Sequence, residues 1–148
     1  MTQEDRQILL KDLSSRLPYG VRYRRFAWDD KQGEECISAK IYSISPDGYV
    51  RNYHEDESDY IDNVRPYLFP LSSLTEEQRN NISKLLIDTQ NEFSPYGEIN
   101  MKGCDNLFIC SVKQANALIN YCLANHLDIN GLIEKGLAID ATGLNIYC

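Results

Sequence analysis

Leu17-Pro-Tyr-Gly-Val-Arg-Tyr-Arg-Arg-Phe-Ala-Trp28 is where the chain changes its period. Upstream of it, Leu9, Leu10, Leu13 and Leu17 recur at helical spacing, and Thr2 with Asp5 forms a capping arrangement at the start. Pro18 ends that helix, since it has no amide hydrogen to donate, and Tyr19-Gly20 turns the chain. From Val21 the residues alternate as they do on a half-buried strand. Val21 and Tyr23 are out of phase with Phe26 and Trp28, so the reading places a β-bulge near Arg24-Arg25 to bring all four onto one face.

Working outward, Cys36 to Ser45 reads as a second strand, and Ser45-Pro-Asp-Gly48 as a tight turn with Pro at its second position. Tyr49 to His54 returns as a third strand. Tyr60 to Leu68 reads as a fourth, broken by Pro66, which puts its end at a sheet edge. Thr75 and Gln78 form a capping box for a helix over 75–90, carrying Ile82, Leu85 and Leu86. Asn91 to Asn106 has little pattern. Leu107 to Cys110 reads as a short strand, and Ser111 with Gln114 opens a helix whose Ala115, Leu118, Ile119, Cys122 and Leu123 face inward.

The segment Leu127-Asp-Ile-Asn-Gly-Leu-Ile-Glu-Lys-Gly-Leu137 reads as a short helix closed at both ends. Asp128 is its N-cap, Leu127 and Leu132 are a hydrophobic staple, and Gly136 takes the left-handed position of a Schellman ending. The fold class expected is therefore α+β within one domain: an N-terminal helix over 1–18, then a small, strongly bent antiparallel sheet or SH3-like partial barrel over 20–70. A helical C-terminal half follows.

The totals fit a globular chain of 148 residues, 43% hydrophobic and 25% charged, with no apolar run near the roughly 20 residues that span a bilayer. The opening Met1-Thr-Gln-Glu-Asp-Arg6 lacks the pattern of a secretory signal, and five scattered cysteines suit free thiols, so the expected compartment is the cytoplasm. A net charge of −7 works against binding to nucleic acid or anionic lipid. Glu55, Asp56, Glu57, Asp59 and Asp62 concentrate that charge at a solvated hairpin tip, without the central Gly and final Glu of a calcium loop.

Four constellations bear on function. Cys122 and His126 are four apart on the expected helix, a spacing that lets an imidazole activate a thiolate, although a buried Cys and a His in a last helical turn are also ordinary structural residues. Cys104, Cys110, Cys122 and His126 approximate a zinc-ligand spacing, but the first pair is too far apart for a knuckle. Arg22 to Trp28 interleaves cations with aromatics as single-strand binders do, yet alternation divides these residues between two faces. Tyr42, Tyr49, Tyr53, Tyr60 and Tyr67 run along the expected sheet, where Tyr serves either as half-buried strand residue or as interface residue. The reading that leads is a non-enzymatic cytoplasmic module binding another protein through Tyr49, Tyr53 and Tyr60 or the neighbouring acidic hairpin. It requires no cofactor and no metal. A small enzyme or zinc-dependent factor using Cys122 and His126 is the alternative, and nucleic-acid binding through Arg22 to Trp28 comes third.

Three stretches, Asp5 to Val21, Val64 to Gln78 and Gly131 to Ala138, resemble a family of small uncharacterised proteins associated with prophages and mobile elements of gut anaerobic bacteria. The resemblance covers about a third of the chain, at positions read above as architectural. It implies a genomic context and brings no activity or site residue with it.

Overall fold

The computed structural model describes residues 1–29, 33–53, 58–87 and 112–147. They fall into two compact units, one of residues 1–73 with 123–148 and one of residues 74–122. In the larger unit, α1 (Gln3–Arg16) begins with the expected capping box: the Thr2 side chain accepts from the Asp5 amide at 3.1 Å, and the Asp5 carboxylate accepts from the Thr2 amide at 3.2 Å. The sheet comprises β1 (Arg22–Asp29), β2 (Gly33–Ile44), β3 (Tyr49–Asn52), β4 (Ser58–Tyr60), β5 (Arg65–Leu68) and β6 (Ile139–Asp140), in the order β4-β3-β2-β1-β5-β6. Every neighbouring pair is antiparallel except β5 with β6. The class is α+β, and the sheet is open rather than closed into a barrel.

Three expectations about the strands need correction. The stretch Tyr60 to Leu68 is not one strand: Ile61–Asn63 forms a 3₁₀ turn that separates β4 from β5. Ile61 and Val64 are both fully buried, and a spacing of three suits a 3₁₀ turn where a period of two cannot bury both. The turn carries the chain across the sheet, so β4 is an edge strand while β5 lies between β1 and β6. Pro66 is therefore not at an edge; it pairs with Tyr23 of β1, and the ladder to β6 begins only at Tyr67.

The bulge expected near Arg24-Arg25 is also absent, because β1 pairs with β2 without interruption from Arg22↔Lys40 to Asp29↔Gly33. Alternation simply continues, so Arg25 points inward after Val21 and Tyr23 and meets Asp59 at 3.4 Å. Burying a cation is tolerable when a carboxylate accompanies it. A register shift does occur elsewhere, on β2 between Ile41 and Ser43. The Ser45–Gly48 turn forms as expected, with the Gly48 amide donating to the Ser45 carbonyl at 3.0 Å. Gly48 is at φ 88°, and a Cβ there would sit 3.1 Å from Ile61, so both conformation and space require glycine.

Leu127 to Leu137 forms turns rather than a helix. Gly131, at φ 65°, interrupts the run, so the Asp128 carboxylate accepts from Leu132 and Ile133 at 2.8 and 2.9 Å instead of from the two residues nearer to it. The ending is the Schellman arrangement expected: Gly136 is at φ 69°, its amide donates to Ile133, and the Leu137 amide donates to Leu132 at 2.8 Å. Leu132 and Leu137 join Leu9, Leu13, Val21, Tyr23, Ile41 and Val50 in one core.

A buried ion pair ties this segment to α1. Arg16 and Asp12, one helical turn apart and fully buried, make two hydrogen bonds of 2.6 and 3.0 Å. Arg16 Nη2 also donates to the Leu127 carbonyl at 2.8 Å, and Asn130 Nδ2 donates to Asp12 at 2.7 Å. In the smaller unit, Thr75 and Gln78 form the expected capping box ahead of α2 (Glu76–Ile87), and α3 spans Val112–Ala124. The Asn81 amide of α2 donates to the Tyr121 hydroxyl of α3 at 3.4 Å. Ser111 and Leu107 to Cys110 lie outside the described residues. No helix among the described residues is long and apolar enough to cross a membrane.

Removing one partner of a buried pair costs about 3–5 kcal/mol, whereas replacing both with well-packed apolar residues is nearly neutral. Arg16→Met is therefore expected to lower the urea-unfolding free energy by an amount in that range, and the double variant Asp12→Leu with Arg16→Met to recover most of it.

Candidate docking face

Strand alternation gives β2, β3 and β4 two unlike faces. Ala39, Ile41, Val50 and Asn52 point toward α1 and are buried, while Lys40, Tyr49, Arg51 and Tyr53 occupy the opposite, exposed side. Tyr42 joins them by the same alternation, after exposed Lys40 and buried Ile41, and the register shift that follows sets Ser43 opposite Arg51. Tyr42, Tyr49 and Tyr53 are 61%, 50% and 59% exposed, values that separate surface rings from core rings.

These rings are paired. Tyr42 meets Tyr53 edge-to-face with centroids 5.1 Å apart, and Tyr49 meets Tyr60 in the same way at 5.4 Å. Lys40 Nζ lies 5.3 Å from the Tyr53 ring centroid. Tyr60 is half-buried and held from the helix side: Arg6 sits 5.4 Å from its ring centroid, and the same guanidinium grips Asp62 through bonds of 3.1 and 2.7 Å. That contact holds the Asp62 carboxyl below its usual range, chiefly through the hydrogen bond from Arg6. Beside the Tyr49–Tyr60 pair is an open depression of about 550 Å3, lined by Ser43, Ser45, Asp47, Tyr49, Arg51 and Ser58.

Of the expected binding residues, Tyr49 and Tyr53 are therefore on the surface and adjacent on one face, and Tyr60 supports that face from its edge; Tyr67, also in the expected sheet, is buried. Tyr42 and Arg51 belong to the same face. The alternation of Tyr49, Arg51 and Tyr53, and that of Lys40 with Tyr42, was visible in the sequence; the place of Ser43 opposite Arg51 was not, because it depends on the register shift. On the inner side of the same strands, the Tyr23 hydroxyl donates to Asp59 and accepts from Asn52 Nδ2 at 3.2 Å. Burial, and then the bond to Asp59, push that phenol well above its usual range.

No family model, curated protein or solved structure matches this chain. Function rests on its own geometry.

The other constellations meet different circumstances. α3 ends at Ala124, and His126 lies beyond it at φ 54°, so Cys122 and His126 do not share a helical face as expected. A left-handed residue cannot continue an α-helix. Cys122 is buried; Cys104 and Cys110 lie outside the described residues, among which no cluster could hold a metal ion. In the Arg22 to Trp28 strand, Arg22 binds the Ser38 hydroxyl and carbonyl at 2.9 Å each, and Arg25 faces Asp59. The side chains of Phe26 and Trp28 lie outside the described residues.

His126 stacks on Tyr147, centroids 3.8 Å apart and planes 12° from parallel, and its Nδ1 has no hydrogen-bond partner. Tyr147 donates to the Tyr67 carbonyl at 2.6 Å and accepts from the Arg22 amide at 3.2 Å. Burial pushes the Tyr147 phenol up to about 12. Burial, and then the charge of Arg16, lower the imidazole to about 4. This is a neutral packing histidine whose surroundings disfavour its charged form.

Two measurements check this assignment. Tyr49→Ala and Tyr53→Ala are each expected to stay within about 1 kcal/mol of the parent in urea unfolding, the upper scale of an exposed cross-strand pair. For His126, the unfolded chain takes up a proton below about pH 6.5 that the folded chain refuses until about pH 4, so stability rises with pH across that window and is lost as pH falls through it. His126→Asn, which keeps a residue tolerant of positive φ, is expected to shrink the stability difference between pH 7 and pH 4.5 by roughly 2–3 kcal/mol.

Proposed function

We infer that this chain is a non-enzymatic module that binds another protein through the outer face of β2, β3 and β4. The observation that carries the reading is the placement of Tyr42, Tyr49 and Tyr53 on one exposed face while the opposite face of the same strands is core. Tyrosine supplies large contact area with few torsions to fix and a hydroxyl to satisfy, which is why it is enriched where proteins meet. Edge-to-face pairing fixes the four rings before a partner arrives, so less side-chain entropy remains to be lost on association. Among the candidates, this surface is the one whose side chains are accessible and not spent on internal contacts of the core.

The same reading places the module in the cytoplasm, where five scattered cysteines stay reduced, and in the genomic setting of mobile elements that its resemblance implies. Photo-crosslinking tests the docking face directly. Benzoylphenylalanine placed at Tyr42 or Tyr53 and irradiated in cells of the source organism is expected to yield a discrete protein adduct. The same probe at exposed Glu134 should not yield it. Adducts of equal pattern from all three positions, or none from any, would refute the docking face.

A further inference from the structure

The docking face has a charged centre. Arg51 lies between Ser43 of β2 and Ser58 of β4, each its direct cross-strand partner, so the three side chains form a row across the sheet. Its guanidinium has no hydrogen-bond or ion-pair partner among the described residues. Two residues to one side along β3 stands the Tyr49–Tyr60 pair, and two residues to the other the Tyr42–Tyr53 pair. An aromatic pair, a cation between two hydroxyls and a second aromatic pair thus follow one another at the spacing of alternate strand residues, about 6.6–6.8 Å.

Resting on the docking reading, we propose that this face receives an extended peptide segment of the partner in which an acidic side chain sits on Arg51. Apolar side chains two residues before and after it lie on the two tyrosine pairs. An extended peptide presents every second side chain to one side with the same repeat as β3, so three consecutive facing side chains meet the three stations in register. The guanidinium fork offers parallel donors that match both oxygens of a carboxylate, and the flanking hydroxyls of Ser43 and Ser58 can donate to the oxygen lone pairs that remain. Asp47, also in the depression, excludes a run of acidic residues and favours a single one.

The chemistry of the face selects a peptide over a nucleic acid strand. Phosphates repeat along a strand, which calls for a track of cations, whereas this face carries Arg51 and a Lys40 already placed against the Tyr53 ring. A net charge of −7 repels a polyanion but leaves a single carboxylate free to pair with one guanidinium.

The test is selection of a displayed random heptapeptide library on the full chain, followed by anisotropy titration of a labelled selected peptide. The expected result is enrichment of sequences with Asp or Glu flanked at two-residue distance on both sides by apolar residues. Replacing the acidic residue by its amide should weaken binding by about tenfold, the scale of a charge-assisted hydrogen bond, and Arg51→Gln should abolish the difference between acid and amide peptides. Arg51 is exposed, so the variant's circular dichroism should match the parent. Selected peptides that need Tyr49 and Tyr53 but bind acid and amide forms equally would overturn the acidic station and leave the docking face standing. Peptides indifferent to Tyr49→Ala and Tyr53→Ala, or no selected sequences, would overturn both. An oligothymidylate that binds with dependence on Arg51 while no peptide does would replace the peptide by nucleic acid.

Discussion

The fully buried Asp12–Arg16 pair is the constraint around which the larger unit is organised. Two bonds between its members orient the guanidinium, and the second Nη2 hydrogen reaches the carbonyl of Leu127. Asn130 closes on the same carboxylate. A charge pair away from water is costly unless hydrogen-bonded, and here residues more than a hundred positions away supply bonds to it, while Arg16 Nη1 is left without a partner. Leu127 leads directly into the backbone exchange with Phe69, whose amide and carbonyl bond to His126 and Asp128, and β6 follows against β5. The pair therefore fixes where the end of the chain meets its beginning.

With α1 and the Leu127–Leu137 turns covering one face of the sheet, the other face of β2, β3 and β4 is left to the tyrosines. Strand alternation makes this division strict, since moving one ring inward would bring a core residue outward. The two ring pairs and Arg51 are displayed on backbone that is hydrogen-bonded on both sides at β3, and Arg6 braces Tyr60 from the helix. A surface so supported differs from a set of loose surface aromatics, because its rings already have their geometry.

Much of this was legible in the sequence wherever one residue's chemistry decides its surroundings. Thr2 with Asp5, Thr75 with Gln78, the Ser45–Gly48 turn and the left-handed Gly136 all depend on neighbours within a few positions, and each formed as read. The misreadings share a cause as well. Placing Phe26 and Trp28 with Val21 by a bulge, keeping Tyr60 to Leu68 as one strand, and continuing a helix through His126 all assumed that apolar periodicity persists. In each case a distant partner decided otherwise: Asp59 made it acceptable to bury Arg25, the core took Ile61 and Val64 at a spacing of three, and His126 stacked on Tyr147 beyond the end of α3.

The sequence alone determined the class of fold, the positions of the caps and turns, and which tyrosines alternate along β3, because these follow from local hydrogen bonding and from side-chain period. Only the tertiary structure decided that β4 and β5 lie on opposite sides of the sheet, that Asp12 and Arg16 are internal, and that Ser43, Arg51 and Ser58 stand in a row. Those facts depend on register between strands and on desolvation by elements far apart in the chain, and neither is written in any short window of residues.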